Sequence, residues 1–264
     1  MTKLIVTDMD GTLLNDKREL PETIWNTIEQ LEQKGIQFAV ASGRQYQTLA
    51  DIFAPVKDKM LFMAENGTII VNKSEVISIT ALDKALVQEL IAVARGLDDC
   101  HIVLCGAETA YVESTNERFL SKTRDYFHHI QVVENLTQVE ADVLKFTVCD
   151  FRNPENYSFE FFKPFADRCK PAVASEIWLD IMPTHANKGE ALQKMQQKLG
   201  ISNAETLVFG DYMNDFEMMQ YAQNSYAMVN AHPEILAISK FTTRFDNNHN
   251  GVIDTLTALG LVSF

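Results

Sequence analysis

The chain has 264 residues, of which 46% are hydrophobic, so it is long enough for one large domain or two modest ones with a real core. Its 23 Lys and Arg residues against 36 Asp and Glu residues give a net charge of −13, which disfavours binding to nucleic acid or to an anionic membrane. The sequence has neither an apolar run long enough to span a membrane nor a signal-peptide pattern, so the expected location is the cytoplasm.

Strands and a helix alternate in the first part of the chain. Apolar runs predict strands at 4–6, 37–41 and 61–64, and the segments 69–71 and 76–79 are expected to form a hairpin. Apolar residues at helical spacing predict a helix between the first two strands. Because a helix that joins two neighbouring strands makes a crossover connection, we expect these two strands to be parallel.

The middle of the chain is richer in aromatic residues and mixes one predicted helix with short strands. The helix is predicted at 84–95, and the strands at 102–104, 110–112, 145–148 and 178–181. The earlier alternation then returns, with helices at 188–199, 215–222 and 251–259 and strands at 206–209, 226–228 and 241–243. We therefore predict an α/β domain made of 1–81 and 184–264, interrupted by an inserted α+β domain at 82–183.

Two aspartates follow the first predicted strand directly. Asp8 and Asp10 would lie at its carboxyl end, and Gly11-Thr12 reads as the turn that ends it. Open α/β sheets bind ligands at the carboxyl ends of their strands. Two carboxylates this close repel each other unless a cation or a proton lies between them. The pair therefore indicates a metal site, a shared proton, or both.

Two more strand ends are expected to bring polar groups to the same edge of the sheet. Ser42 and Gly43 follow the second strand, Asp211 and Asp215 follow the strand at 206–209, and Lys188 begins a helix that leads back into this sheet. Oxygen ligands without histidine or cysteine favour Mg²⁺ over zinc. We expect Asp8 and Asp211 to bind the metal, and Asp215 to orient these ligands.

The cysteines and histidines do not have the spacing of metal ligands. The cysteines form no C-x-x-C pair, which favours reduced, mostly buried thiols over a zinc site, and they are Cys100, Cys105, Cys149 and Cys169. Surface or helix-capping positions are expected for the six histidines, which are His101, His128, His129, His185, His232 and His249.

This set of groups suits the transfer of a phosphoryl group. Asp8 would attack phosphorus and form an aspartyl-phosphate. Asp10 would give a proton to the leaving alkoxide and later take one from water. Groups that would hold the phosphoryl oxygens are the Met9 amide, Ser42, the Gly43 amide and Lys188.

The same residues resemble the haloacid dehalogenase (HAD) superfamily, whose hallmark opening is D-x-D-G-T. The four motifs of that family appear here at 8–12, 42–44, Lys188 and 210–215. The resemblance implies a Rossmann-like HAD core with a parallel sheet and helices on both faces. An insertion between the serine motif and the lysine resembles the type-II cap of the Cof-type branch, which implies that 82–183 sets substrate specificity.

The resemblance also implies a role for each matching residue. Asp8 matches the nucleophile and Asp10 the acid/base, which goes with phosphatases and phosphomutases rather than with dehalogenases. Metal ligands are implied at Asp8, the Asp10 carbonyl and Asp211, with Asp215 behind them. Phosphate contacts are implied at Met9, Ser42, Gly43, Lys188 and Asn214.

The leading prediction is a cytoplasmic Mg²⁺-dependent phosphatase. Its partner would be a small phosphorylated metabolite, above all a sugar phosphate, and its cap would close over that substrate. Two alternatives stay open: a phosphomutase acting on hexose phosphates and a non-enzymatic phosphosugar-binding protein. The expected assembly is a monomer or a weak homo-oligomer.

Overall fold

A computed structural model describes residues 1–127 and 129–264. The chain forms two compact units, of which the first contains Met1–Arg44, Leu49–Ser78 and Asn187–Phe264. The second contains Gln45–Thr48 and Ile79–Ala186, so it interrupts the sequence of the first. The domain limits at 82 and 183 stay a prediction, and His128 lies outside the described residues.

The first third of the chain supplies five strands and two helices. The strands are β1 (Leu4–Asp8), β2 (Gln37–Ala41), β3 (Leu61–Ala64), β4 (Ile69–Asn72) and β5 (Glu75–Ile79). The helices are α1 (Ile24–Gln33) and α2 (Tyr46–Ile52). Strand β1 is buried along its whole length, as expected for a parallel strand covered on both faces.

The second unit is built on a six-stranded sheet. Its strands are β6 (Cys100–Cys105), β7 (Ala110–Val112), β8 (Ile130–Val132), β9 (Lys145–Asp150), β10 (Cys169–Val173) and β11 (Trp178–Pro183). Their order in the sheet is β10-β11-β9-β6-β7-β8, and the pairing is antiparallel except between β7 and β8. The helices are α3 (Lys84–Arg95), α4 (Glu117–Arg124) and α5 (Ser158–Phe162).

Two apolar clusters cover this second sheet. One contains Leu86 and Leu90 of α3 together with Phe146 of β9. The other contains Phe119 of α4 together with strand residues whose side chains point to the opposite face of the sheet. Successive side chains in a strand alternate between the two faces, so the two clusters cover different faces. The His101 ring stacks on the ring of Phe119, and their centroids are 4.7 Å apart. The expected surface or capping position is therefore wrong for His101, which is half-buried because its ring packs on this cluster.

The last part of the chain returns to the first unit. It contributes helices α6 (Lys188–Leu199), α7 (Phe216–Tyr221), α8 (Pro233–Ile238) and α9 (Gly251–Ala258), and strands β12 (Thr206–Gly210), β13 (Asn224–Ala227) and β14 (Phe241–Thr242). The strand order of the first sheet is β14-β13-β12-β1-β2-β3-β4-β5. The pairing from β14 to β3 is parallel, and β4 runs antiparallel to β3.

The register of the central strands determines where their ends lie. Asp8 of β1 is opposite Ala41 of β2, and Thr7 is opposite Phe209 of β12. The carboxyl ends of these three parallel strands are therefore level at one edge of the sheet. Within the described part of the chain, no helix combines the length and the apolar character that crossing a membrane requires.

Candidate active site

A buried ion pair joins the first strand to the first helix after the second unit. Asp8 ends β1 and is only 5% exposed, while Lys188 begins α6 and is fully buried. The ammonium nitrogen of Lys188 lies 2.5 Å from Oδ1 of Asp8. Helix α6 begins here because the side chain of Asn187 accepts a hydrogen bond from the Glu190 amide and so caps the helix.

Asp215 is the second partner of Lys188. Its Oδ1 lies 2.6 Å from the ammonium nitrogen. Its Oδ2 accepts hydrogen bonds from the amides of Asp211 and Tyr212, at 2.9 and 3.2 Å. Both carboxylate oxygens of Asp215 are therefore engaged by the protein, so its carboxylate fixes the lysine and the loop after β12.

The carboxylate of Asp211 is held by the turn that follows β1. The Thr12 hydroxyl donates to Oδ1 of Asp211 at 2.8 Å. Gly11 has a φ of +81°, and a Cβ built there would lie 2.4 Å from Oδ2 of Asp211. Asn230 fixes this turn from the loop after β13, because its side-chain amide donates to the Gly11 carbonyl at 2.9 Å. Only glycine at position 11 lets the two loops approach this closely.

The clustered carboxylates fit a hard divalent cation. Asp8, Asp211 and Asp215 each offer an oxygen, and these oxygens lie within 4.8 Å of one another. Lys188 supplies one positive charge against three carboxylates, so a full set of ionised groups repels itself unless a cation is bound. An all-oxygen donor set of this kind suits Mg²⁺ rather than zinc. Asp8 and Asp211 are the carboxylates that fit as ligands, because both oxygens of Asp215 are engaged by protein donors.

Burial shifts the protonation of this cluster. It raises the pKa of Asp8 well above the usual value, and the ammonium of Lys188 opposes that rise. Burial also raises the pKa of Asp211 to about 6, against the hydrogen bond from Thr12. For Lys188, burial acts to lower the pKa, but the carboxylates of Asp215 and Asp8 outweigh it and keep the ammonium charged.

The loop after β2 carries the serine motif and an arginine. Ser42 is 2% exposed and follows directly on the strand that pairs with β1. Gly43 lies against the side chain of Asn66, where a Cβ would meet Oδ1 at 3.2 Å. Arg44 binds the carboxylate of Asp10, with Nε 3.0 Å from Oδ2 and Nη2 2.5 Å from Oδ1. The sequence assigned no role to Arg44.

The structure thus brings together Asp8, Asp211, Asp215 and Lys188, and it pairs Asp10 with Arg44. Met9 is fully buried between the two aspartates of the first motif, so only its backbone could serve a ligand there. Asn214 is exposed on a short 3-10 helix, Met213–Asp215, beside this cluster.

Three residues at this edge of the sheet had no assigned role in the sequence: Thr12, Arg44 and Asn230. Thr12 lies 199 positions from its partner Asp211, and no local pattern shows that contact. The proximity of Arg44 to this site was predictable from the sequence, because the parallel pairing of β1 and β2 places the end of the serine motif beside the loop that begins at Asp8.

Comparisons with known proteins agree with this arrangement. The sequence matches the haloacid dehalogenase-like hydrolase family over residues 5–256. The 5-amino-6-(5-phospho-D-ribitylamino)uracil phosphatase of Escherichia coli (strain K12) is 28% identical over 264 residues, covering 96% of this chain and 94% of that protein. A crystal structure from Eubacterium rectale has 29% identity and a TM-score of 0.90, covering 98% of this chain and 99% of the other. One from Thermotoga maritima has 27% identity and a TM-score of 0.86, covering 100% and 98%.

These similarities confirm the predicted fold class, an α/β HAD core with a parallel sheet and an inserted α+β domain. They also confirm the prediction of an enzyme of the hydrolase class, and the name of the Escherichia coli relative agrees with a phosphoric monoester hydrolase. Because the match extends over nearly the whole sequence, the chain belongs to the haloacid dehalogenase-like hydrolase family.

Proposed function

We propose that this protein is a Mg²⁺-dependent phosphatase of the cytoplasm that hydrolyses small phosphate monoesters, in particular sugar phosphates, through an aspartyl-phosphate. The observation that carries the proposal is the buried contact of Lys188 with Asp8 at the end of β1, beside the carboxylate of Asp211. A carboxylate held by an ammonium and placed next to a cation site is equipped to attack an electron-poor phosphorus.

In the first half of the proposed reaction, Asp8 attacks phosphorus while the bond from phosphorus to the ester oxygen breaks. The leaving oxygen takes a proton from Asp10, two residues further along the same loop. In the second half, water attacks the aspartyl-phosphate and gives a proton to Asp10. The bond between phosphorus and Asp8 then breaks, which restores the carboxylate and releases inorganic phosphate.

The phosphoryl oxygens would be held by groups at the same edge of the sheet. These are the amides of Met9 and Gly43, the hydroxyl of Ser42, the ammonium of Lys188 and the side chain of Asn214. Donors fixed by the fold stabilise the transferring group without having to reorganise during the reaction. Ser42 and Lys188 meet this requirement, because both are almost completely buried and neither can move freely.

Asp8, the carbonyl of Asp10 and Asp211 would hold the metal, and Asp215 would keep Lys188 and the loop of Asp211 in place. When bound, Mg²⁺ supplies Lewis-acid polarisation of the phosphoryl group and screens the carboxylates from it. The acidic net charge of −13 makes such local screening necessary for an anionic substrate.

The substrate class is supported by the name of the Escherichia coli relative, which specifies a phosphorylated ribityl group. We also propose that 82–183 is the cap domain that sets specificity among such compounds. Within this unit, Glu113 is bound by Arg95 through two hydrogen bonds and so contributes to the structure of the unit. Asp180 is likewise bound by neighbouring side chains of this unit, since it lies 3.2 Å from the ammonium of Lys145 and accepts a hydrogen bond from the Thr147 hydroxyl at 2.7 Å.

A phosphate-release screen over sugar phosphates, nucleotides and cofactor phosphates tests the proposal. Release should require Mg²⁺, stop with EDTA and be abolished by Asp8→Asn. The exposed Asp125→Asn is a matched control and should behave as the wild type. Full activity in Asp8→Asn would contradict the mechanism, and formation of an isomeric sugar phosphate in place of free phosphate would identify a phosphomutase.

A further inference from the structure

The pairing of Asp10 with Arg44 is more specific than a surface contact requires. The guanidinium binds both carboxylate oxygens, which is the bidentate arrangement that a planar arginine can make and a lysine cannot. The two side chains differ in their surroundings, since that of Asp10 is 54% exposed and that of Arg44 only 25%. Asp10 is therefore the more weakly confined partner.

The backbone of Arg44 is anchored independently of this pair. Its amide donates to the hydroxyl of Ser42 at 3.2 Å, and its carbonyl accepts from the amide of Glu65 at 3.0 Å. Glu65 and Ser42 are both 2% exposed, so these anchors lie in the rigid end of the sheet. The geometry therefore indicates that Arg44 holds Asp10, rather than the reverse.

We propose that Arg44 is a positioning residue that fixes the orientation of the Asp10 carboxyl group. It binds both oxygens of the ionised form, which takes the proton from water, and keeps a single bond when the other oxygen carries the proton for the leaving group. The inference rests on the proposed function, in which Asp10 gives its proton to the leaving oxygen and later receives one from water. An exposed carboxyl group on a loop populates several rotamers, and only some of them point an oxygen at the leaving group. Holding one orientation raises the fraction of encounters in which a proton can be transferred.

The role predicts a dependence on the leaving group. An aryl phosphate leaves as a stable anion and needs little help from an acid, whereas an alkyl phosphate such as a sugar phosphate needs the proton. Replacing Arg44 should therefore lower kcat more for the alkyl ester than for the aryl ester. Loss of well-placed general acid–base catalysis typically lowers rates by about 10²–10⁴-fold, so a misplaced acid should cost about tenfold or more.

The decisive comparison uses Arg44→Lys and Arg44→Gln, measured with a hexose phosphate and with an aryl phosphate, in the wild-type and Asp10→Asn backgrounds. A matched control is Arg168→Lys, because Arg168 makes a similar bidentate pair with Glu89, at 2.8 Å for both bonds, within the second unit. Competitive inhibition by inorganic phosphate reports separately on how well the phosphoryl group is bound. Thermal unfolding of each variant shows whether it is folded.

We expect both Arg44 variants to lower kcat for the hexose phosphate at least about tenfold, with a smaller loss on the aryl phosphate. KM and the inhibition by inorganic phosphate should change less than about twofold, and neither variant should lower activity further when Asp10 is already Asn. Arg168→Lys should have no effect. Equal losses on the two esters, weaker binding of inorganic phosphate, or an independent loss in the Asp10→Asn background would each overturn the positioning role.

Failure of the proposed function would look different. In that case the wild-type protein itself would release no phosphate from any ester. The geometric part of the inference, that Arg44 orients the Asp10 carboxyl group, would then be decided by crystal structures of the wild type and of Arg44→Lys. A displaced Asp10 carboxyl group in the variant would support it, and an unmoved one would overturn it.

Discussion

The ammonium nitrogen of Lys188 lies 2.6 Å from Oδ1 of Asp215, and neither side chain is exposed to solvent. A buried ion pair stabilises a fold poorly, because both charges lose their hydration. The pair instead positions other groups of the site, since Asp215 accepts a hydrogen bond from the amide of Asp211 and Lys188 binds Asp8. The pair thereby connects the loop after β12 to the end of β1.

Lys188→Met should damage both folding and activity. The variant leaves the carboxylates of Asp8 and Asp215 buried without their cation, and breaking such a pair costs about 3–5 kcal/mol. Phosphate release should fall by about 10²-fold or more, because a fixed donor to the phosphoryl group is lost. The control Lys59→Met removes an exposed lysine 3.3 Å from Glu32, and should cost less than about 1 kcal/mol. Urea denaturation and phosphate release measure the two effects, and similar behaviour of the two variants would contradict the assignment.

Thr12→Val should weaken Mg²⁺ binding. Valine has nearly the shape of threonine but cannot donate to Asp211, whose orientation would then be less well fixed. Loss of a partner behind a metal ligand typically costs about 10–100-fold in affinity or activity. Activity should recover at high Mg²⁺, and Thr12→Ser, which keeps the hydroxyl, should resemble the wild type. A titration of phosphate release with Mg²⁺ checks this, and an unchanged midpoint in Thr12→Val would rule the contact out as a determinant of metal affinity.

Asp211→Asn should stabilise the metal-free protein at neutral and higher pH. The pKa of Asp211 is raised from 3.8 to about 6, so ionising it costs the folded state stability as the pH rises through this window. The shift corresponds to about 1–3 kcal/mol, gained by the variant above pH 6 and absent at low pH.

Thermal unfolding in EDTA at about pH 4.5 and about pH 8 measures this difference. Mg²⁺ at the higher pH should raise the melting temperature of the wild type more than that of Asp211→Asn. A variant that is less stable than the wild type at high pH without metal would show that the Asp211 charge is favourable in the free enzyme.

Gly11→Ala and Gly35→Ala separate backbone strain from a steric clash. The two glycines have similar φ angles, +81° and +70°, but a Cβ at Gly11 would lie 2.4 Å from Asp211, whereas nothing lies within 4 Å of one at Gly35. Both variants should lose about 1–2 kcal/mol of stability from the left-handed conformation. Only Gly11→Ala should also lose Mg²⁺ affinity and activity, and an active Gly11→Ala enzyme would show that this close approach is dispensable.

Much of the first unit was predictable because its central strands are continuous apolar runs. Strands β1, β2 and β12 are buried along nearly their whole length, and polar motifs follow each of them directly. Parallel pairing then requires those motifs to share one edge of the sheet, so the proximity of Asp8 to Asp211 follows from topology rather than from any local signal.

The strands and helices of the second unit were harder to predict from the sequence. Strand β10 contains Pro171, which lacks an amide hydrogen and argues against a strand, yet β10 is tolerated because it lies at the edge of its sheet. Helix α4 is short and mostly polar, and it forms because Asn116 caps it and Phe119 packs into the apolar cluster. Neither cause is visible in a periodicity of the sequence.

Side-chain pairings across the site were the least predictable features. The bond from Thr12 to Asp211 and the pairing of Arg44 with Asp10 depend on rotamers and on loop positions a few ångströms apart. The sequence identified the residue types at this edge, whereas the choice of partner is made by packing.

Rapid acid quench after mixing with a ³²P-labelled sugar phosphate tests the central claim most directly, because it traps a covalent phosphoenzyme. The label should appear on the tryptic peptide 4–17, and borohydride reduction should convert Asp8 to homoserine. Asp10→Asn should accumulate more label than the wild type with an aryl phosphate, because the second proton transfer is slowed. Turnover without any labelled protein, or label located on a residue other than Asp8, would contradict the account.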